Sequence, residues 1–170
     1  RQDPQGAPGF AARGAPARAM EGSLAVDAVY ARRLALIRPS HNELDALIHA
    51  YVAHTAPGAL ALLDQLRGAG VRVIAVSGGL REACMPFCAT LGFVAAEVHA
   101  VSIHFAADGS YEGFDATSPL TRKNGKPELV HALAVPRPLL AIGDGITDLE
   151  IKTAGEADLF AAFAGFIRRP

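Results

Sequence analysis

The chain has almost no cysteine: Cys84 and Cys88 are the only two in 170 residues. They stand four apart in an apparent helix over 80–91, with no further Cys or His near enough to complete a zinc site. A disulfide between positions i and i+4 of one helix has poor geometry, which leaves two buried thiols facing a core. An excess of charge is lacking too. Sixteen basic residues against seventeen acidic ones give a net charge of −1, so nothing points to a nucleic-acid or membrane surface. No apolar run approaches the roughly 18–20 residues that span a bilayer, and no signal-peptide pattern is present, so the simplest location is the cytoplasm. There is no G-x-S-x-G elbow, no P-loop and no dinucleotide G-x-G-x-x-G, and we find no internal repeat. The six histidines, at 41, 49, 54, 99, 104 and 131, form no pair at ligand spacing. An initiator Met is also lacking at Arg1, which suggests that upstream sequence is absent.

What is present is enough for one ordinary domain. The chain is 51% hydrophobic and 19% charged, which excludes disorder. Residues 1–18 hold Pro4, Pro8 and Pro16 with Gly6, Gly9 and Gly14 and read as a loose segment. Leu24, Val26, Val29, Tyr30, Leu34 and Ile37 fall at helical spacing, ended by Pro39. Ser40-His41-Asn42-Glu43 has capping-box spacing and predicts a second helix to about Val52. A third starts with Pro57 in its first turn and reaches Leu66, before Gly68 and Gly70. From there strand and helix alternate: strand 71–77, helix 80–91, strand 98–105, a hairpin turn at 107–110, strand 111–114, helix 127–133, strand 139–143, helix 146–153 and strand 158–162. Apolar strands in that order predict a parallel α/β sheet. Residues 19–55 read as a separate helical cap and 56–170 as the α/β core.

Two stretches carry the chemistry. Val73-Ile74-Ala75-Val76-Ser77-Gly78-Gly79 and Leu140-Ala141-Ile142-Gly143-Asp144-Gly145-Ile146-Thr147-Asp148 each run from apolar strand into small polar residues at a helix start. In open α/β sheets the carboxyl ends of the strands are where ligands bind. A hydroxyl with free N–H groups suits a phosphate, and carboxylates suit a hard cation such as Mg²⁺. The plainer alternatives are that Asp144 only caps the helix while Asp148 is solvated, and that Ser77-Gly78-Gly79 is an ordinary turn. A cap accounts for one carboxylate but not for the glycines on either side of Asp144, which permit close backbone approach. Lys126, after Gly125, is placed to neutralise a phosphate, with Lys123 as its rival.

Taken in order, Ser77-Gly78-Gly79, Gly125-Lys126 and Gly143-Asp144-Gly145-Ile146-Thr147-Asp148-Leu149-Glu150 resemble the haloacid dehalogenase superfamily, and within it the phosphoserine phosphatase type. Met20 with Arg33-Leu34-Ala35-Leu36-Ile37-Arg38-Pro39-Ser40 is similar to that type's helical cap, and Tyr111-Glu112-Gly113-Phe114-Asp115 to its hairpin. The resemblance spans roughly residues 19–167. It implies a Rossmann-like parallel sheet with a small helical cap, and Mg²⁺-dependent hydrolysis of a small phosphomonoester, O-phosphoserine. Carried over position by position, it implies that Ser77 and the Gly78 N–H hold phosphoryl oxygens and that Lys126 offsets negative charge. It further implies Asp144 as a metal ligand supported by Asp148, Arg33 on the substrate carboxylate, Met20 in the cap pocket and Thr147 at the rim. Nucleic acid and membrane are excluded as partners, and a homodimer is left open.

One part of the pattern is lacking. The first motif of the superfamily, D-x-D-x-[TV] at the end of a central strand, supplies the nucleophile and the general acid/base. No D-x-D occurs in this sequence. Phe114-Asp115-Ala116-Thr117 echoes it only superficially, since it follows a short hairpin strand. Glu21 stands where the family more often has a small residue or Asp, the cap Glu that meets the substrate's amino group is absent, and Pro170 precedes the family's usual last helix. The resemblance puts the lacking strand between those of Ser77 and Asp144, so both are expected to show unpaired edges in mid-sheet. It also implies that this chain alone has no turnover. The rival readings are a related phosphatase with another small phosphomonoester and a catalytically silent ligand-binding module.

Overall fold

The computed structural model describes residues 26–165. Three helices come first: α1 (Val26–Ile37), α2 (His41–Ala53) and α3 (Ala59–Gly68). They are followed by β1 (Ala75–Leu80), α4 (Arg81–Thr90), β2 (Val98–Val101), β3 (Ile103–Phe105) and β4 (Tyr111–Phe114). Then come α5 (Gly125–Leu133), β5 (Leu140–Gly143), α6 (Ile146–Thr153) and β6 (Leu159–Ala162). The alternation of strand and helix holds, and among the described residues no helix is long and apolar enough to cross a membrane.

Local chemistry sets several boundaries. The Ser40 hydroxyl accepts the Glu43 N–H (3.3 Å) while the Glu43 carboxylate accepts the Ser40 N–H (2.8 Å), closing the capping box that starts α2. The β3–β4 turn is closed by Ala106 N–H to the Ser110 carbonyl (2.9 Å), with Gly109 at φ +80° and the Asp108 carboxylate accepting the Ser110 N–H.

Several boundaries move, among them the start of α5, which is Gly125 and not Pro127. The third helix begins at Ala59, because Gly58 adopts φ +81° and keeps Pro57 outside. Residues 71–74, three of them β-branched, are not strand: β1 starts at Ala75, where its parallel partner β2 begins (Ala75 opposite Val98), and stays extended through the glycines to Leu80. The single strand expected over 98–105 is two. β2 pairs parallel with β1, the chain passes Ser102, and β3 pairs antiparallel with β4.

The sheet itself is in pieces: β1–β2, β3–β4 and β5–β6 are separate two-stranded ladders. Each parallel ladder has its own core. Cys84, Cys88 and Val98 pack under β1–β2, and Ala141, Ile151 and Ala157 under β5–β6. A third cluster, of Leu34, Leu44, Ala83, Ile103 and Tyr111, fastens α1 and α2 to the hairpin and to α4. Between the parallel ladders lies an apolar cavity of about 110 Å³, walled by Ile74 and Val76 on one side and by Leu140, Ala141 and Ile142 on the other. That is where the resemblance puts a further strand, and no described residue fills it as one.

Candidate active site

The three motifs meet through a continuous path of contacts. At the end of β1, Gly79 N–H donates to Ser77 Oγ (3.0 Å), turning the hydroxyl back over its own backbone. Gly78 faces a 3₁₀ turn, Pro119–Thr121: a Cβ on Gly78 would stand 3.5 Å from the Leu120 carbonyl oxygen. The same turn presses on Gly125, whose missing side chain is obligatory because a Cβ there would run into the Pro119 carbonyl. Gly125 opens α5 and puts Lys126 beside the other strand. Lys126 Nζ meets Asp148 Oδ1 at 2.5 Å, with side chains only 16% and 14% exposed. Asp148 belongs to the first turn of α6, and its other oxygen accepts the Gly145 N–H (3.1 Å). A Cβ on Gly143 would overlap the Asp148 carboxyl carbon, so the carboxylate lies directly on the end of β5.

This arrangement reverses one reading of the aspartates. The cap of α6 is made by Asp148, reaching back from the third helical position to Gly145, and not by Asp144. Asp144 sits exposed between strand and helix, at the carboxyl end of β5. Thr147 is half-buried in the first turn of α6. Val76, next to Ser77, and Asp148 both line the central cavity. Lys126, not the exposed Lys123, is the lysine built into the site.

Arg33 is exposed on α1, and its electrostatic reach is to Tyr30. Burial pushes the Tyr30 phenol up, and its hydroxyl has no hydrogen-bond partner among the described residues. Met20, Glu21 and the segment 1–18 lie outside the described residues. Both cysteines are free and buried, as their spacing suggests, and burial holds their thiols above the ordinary range.

Two contributors are hard to find in the sequence. The Pro119–Thr121 turn bridges Gly78 and Gly125; its only signal is Ser118-Pro119, a common start of a short helix. Cys84 stands against Ser77 and Gly79, and helical spacing marks it only as a core residue.

Donor chemistry can be tested against a divalent cation. Among the described residues no group of three or more His, Cys, Asp or Glu surrounds a common point. Mg²⁺ does not need one, since it binds through one or two carboxylates and completes its shell with water and phosphate oxygens. Asp144 with Asp148 behind it fits that pattern.

The match to known proteins is extensive. The family model for haloacid dehalogenase-like hydrolases matches residues 4–151, and the chain belongs to that family. Within it, the chain is 34% identical over 152 residues to the chloroplastic phosphoserine phosphatase of Arabidopsis thaliana, and 34% identical over 155 residues to phosphoserine phosphatase of Homo sapiens. These alignments cover 88% and 89% of this chain, but it spans only about half (52%) of the plant protein and 68% of the human one. The crystal structure of a phosphoserine phosphohydrolase-like protein from Francisella tularensis superposes with a TM-score of 0.81 at 24% identity, covering 91% of this chain and 72% of that one. That likeness is one of fold.

Proposed function

We propose that the chain carries the phosphate- and metal-handling part of a phosphoserine phosphatase, which hydrolyses O-phosphoserine to serine and phosphate with Mg²⁺. What carries the reading is the contact path from Ser77-Gly78 through Pro119–Thr121 and Gly125-Lys126 to Asp148. The identity to phosphoserine phosphatases over most of the chain supports the substrate.

In this reading Ser77 donates its hydroxyl proton, and Gly78 its N–H, to phosphoryl oxygens. Lys126, held by Asp148, keeps a positive charge beside the end of β5 to offset the anionic substrate. Asp144 is the metal ligand, and Asp148 fixes the lysine and the turn that presents Asp144. Mg²⁺, when bound, would supply charge neutralisation for the phosphoryl group. The helices α1 and α2 form the cap, with Arg33 turned to the substrate carboxylate, a bidentate task that suits guanidinium, and residues 56–170 form the core. The cavity between β1 and β5 takes the strand that bears the nucleophilic aspartate, a residue pattern this sequence does not contain.

The experiment is phosphate release from O-phosphoserine with and without Mg²⁺. This chain alone is expected to give none. The chain joined to, or mixed with, an apolar strand carrying D-x-D-x-[TV] is expected to give Mg²⁺-dependent release that Lys126→Ala abolishes. Turnover by the chain alone would refute the need for the strand, and no release from any completed form would refute the activity.

A further inference from the structure

The Pro119–Thr121 turn stands between the two halves of the site, and its successive carbonyls meet one half each. The Pro119 carbonyl occupies the place of a side chain on Gly125, at the start of the lysine helix. The Leu120 carbonyl oxygen lies 3.5 Å from where a Cβ on Gly78 would be, at the phosphate seat. A single short turn therefore fills the gap between Gly78 and α5, and it packs on α1 and β2 as well. Leu120 and Thr121 are both buried in it.

Thr121 is the buried polar residue of the described chain. Its hydroxyl donates to the Ser118 carbonyl (2.9 Å), which also accepts the Thr121 N–H (3.3 Å), so the turn is closed twice on one acceptor. The other ties of this loop are on the surface: Arg122 to both oxygens of Glu128 (2.7 and 2.9 Å) and the Asn124 N–H to Glu150 (3.3 Å). Exposed ties of that kind fix geometry weakly. A valine at 121 would fill the same space with no hydroxyl to desolvate, and one local hydrogen bond offsets that desolvation only in part. What the hydroxyl adds is the shape of the turn. We propose that Thr121 is a positioning residue: its hydroxyl, closed on the Ser118 carbonyl, fixes the turn that sets the spacing between Gly78 of the phosphate seat and the helix carrying Lys126. This rests on the phosphate-handling roles proposed above for Gly78 and Lys126.

The test uses the full chain with inorganic phosphate as probe, read from the amide shifts of Gly78 and Gly79, beside urea unfolding of each variant. Thr121→Val is expected to raise the apparent Kd about three- to tenfold, the range for one hydrogen bond, while its urea midpoint stays at or above that of the parent. Thr121→Ser should do the reverse: a Kd within about twofold of the parent, and a lower midpoint because a buried methyl is lost. If Thr121→Val binds as the parent does, or Thr121→Ser loses as much affinity as Thr121→Val, the positioning role is overturned while the seat stands. If the parent shows no phosphate-dependent shift at these amides, the seat is overturned and this inference with it. Pro119→Gly loosens the same turn from its half-buried first residue and should raise the Kd at least about twofold. An unchanged Kd there overturns the proposal even where Thr121→Val does not fold.

Discussion

The two parallel ladders are built alike and covered unlike. In β1–β2, Val98 is 2% exposed and Val101 fully buried, because α4 and the Pro119–Thr121 turn pack on β2. In β5–β6, Ala141 and Phe160 face the helical side, while Leu140, Ile142 and Leu159 stand 49%, 57% and 62% exposed on the other. The regularity runs the opposite way. β5–β6 keeps an unbroken register over four pairs, whereas β1–β2 loses register between Val76 and Leu80, across the glycines. Chemistry is divided along the same line: hydroxyl and N–H groups end the first ladder, and carboxylates and a lysine gather at the end of the second. A strand's packing and its site are thus set independently. The ladder with the thicker core carries the irregular, ligand-shaped terminus, and the thinly covered one carries a rigid, ion-paired terminus.

The sharpest way to break that contrast is to add one methyl group at each terminus. Gly143→Ala drives a Cβ into the Asp148 carboxyl group, which Lys126 and Gly145 hold in place, so nothing can yield cheaply. We expect a loss of about 3 kcal/mol in urea unfolding, at the upper end of the overpacking range. Gly79→Ala meets the Cys84 sulfur and the Ser77 hydroxyl at 3.1 Å, contacts relieved by a few tenths of an ångström, and should cost about 1 kcal/mol. Equal losses would mean that the second terminus is no more rigid than the first.

Coverage is tested by removing side chains. Val98→Ala empties volume inside a closed core and should cost about 2 kcal/mol. Ile142→Ala removes a larger side chain from a half-open cavity wall, and its loss should stay below about 1 kcal/mol. With a strand seated in the cavity, the Ile142→Ala loss should grow toward the Val98 value. A loss at Ile142 already as large in the chain alone would show that the cavity is closed without a strand.

How much of this was legible in the sequence depended on range. Signals that act within a few residues were readable: the Ser40 box, the Asp108-Gly109 turn and the Gly125 context that favours Lys126 over Lys123. Strand limits were not, because a strand is defined by its partner. Residues 71–74 have the β-branched composition of a strand but no neighbour to pair with, and Ser102 interrupts no apolar pattern although the chain changes sheets there. At the site, the spacing of Asp144 and Asp148 placed both at one helix start. It could not tell which of them makes the cap, since that turns on Gly143 yielding its space to Asp148. Cys84 read as core by spacing and is core. Its contact with Ser77 is tertiary, and nothing local announces it.

The smallest expected difference between the ladders is in their response to acid. His99, on β2, is half-buried with Nε2 unpartnered among the described residues; burial first, then the charges of Arg81 and Arg72, lower its pKa. The unfolded chain, with a histidine near pH 6.5, therefore takes up the proton first. The stability His99 permits is complete above about pH 6.5 and declines as the pH falls toward the lowered folded value. Asp158 serves the other ladder, accepting the Leu139 N–H (2.7 Å) and pairing with Arg137; the backbone bond first, then the guanidinium, lowers its pKa. Its contribution is complete above the unfolded value of about 3.9 and is lost only below it. Hydrogen exchange of individual amides, corrected for intrinsic rate, should accordingly show β1–β2 loosening as the pH falls below about 6.5 while β5–β6 holds. His99→Gln should remove the difference. Parallel loosening of both ladders in the parent chain would mean that they open as one unit, in spite of the cavity between them.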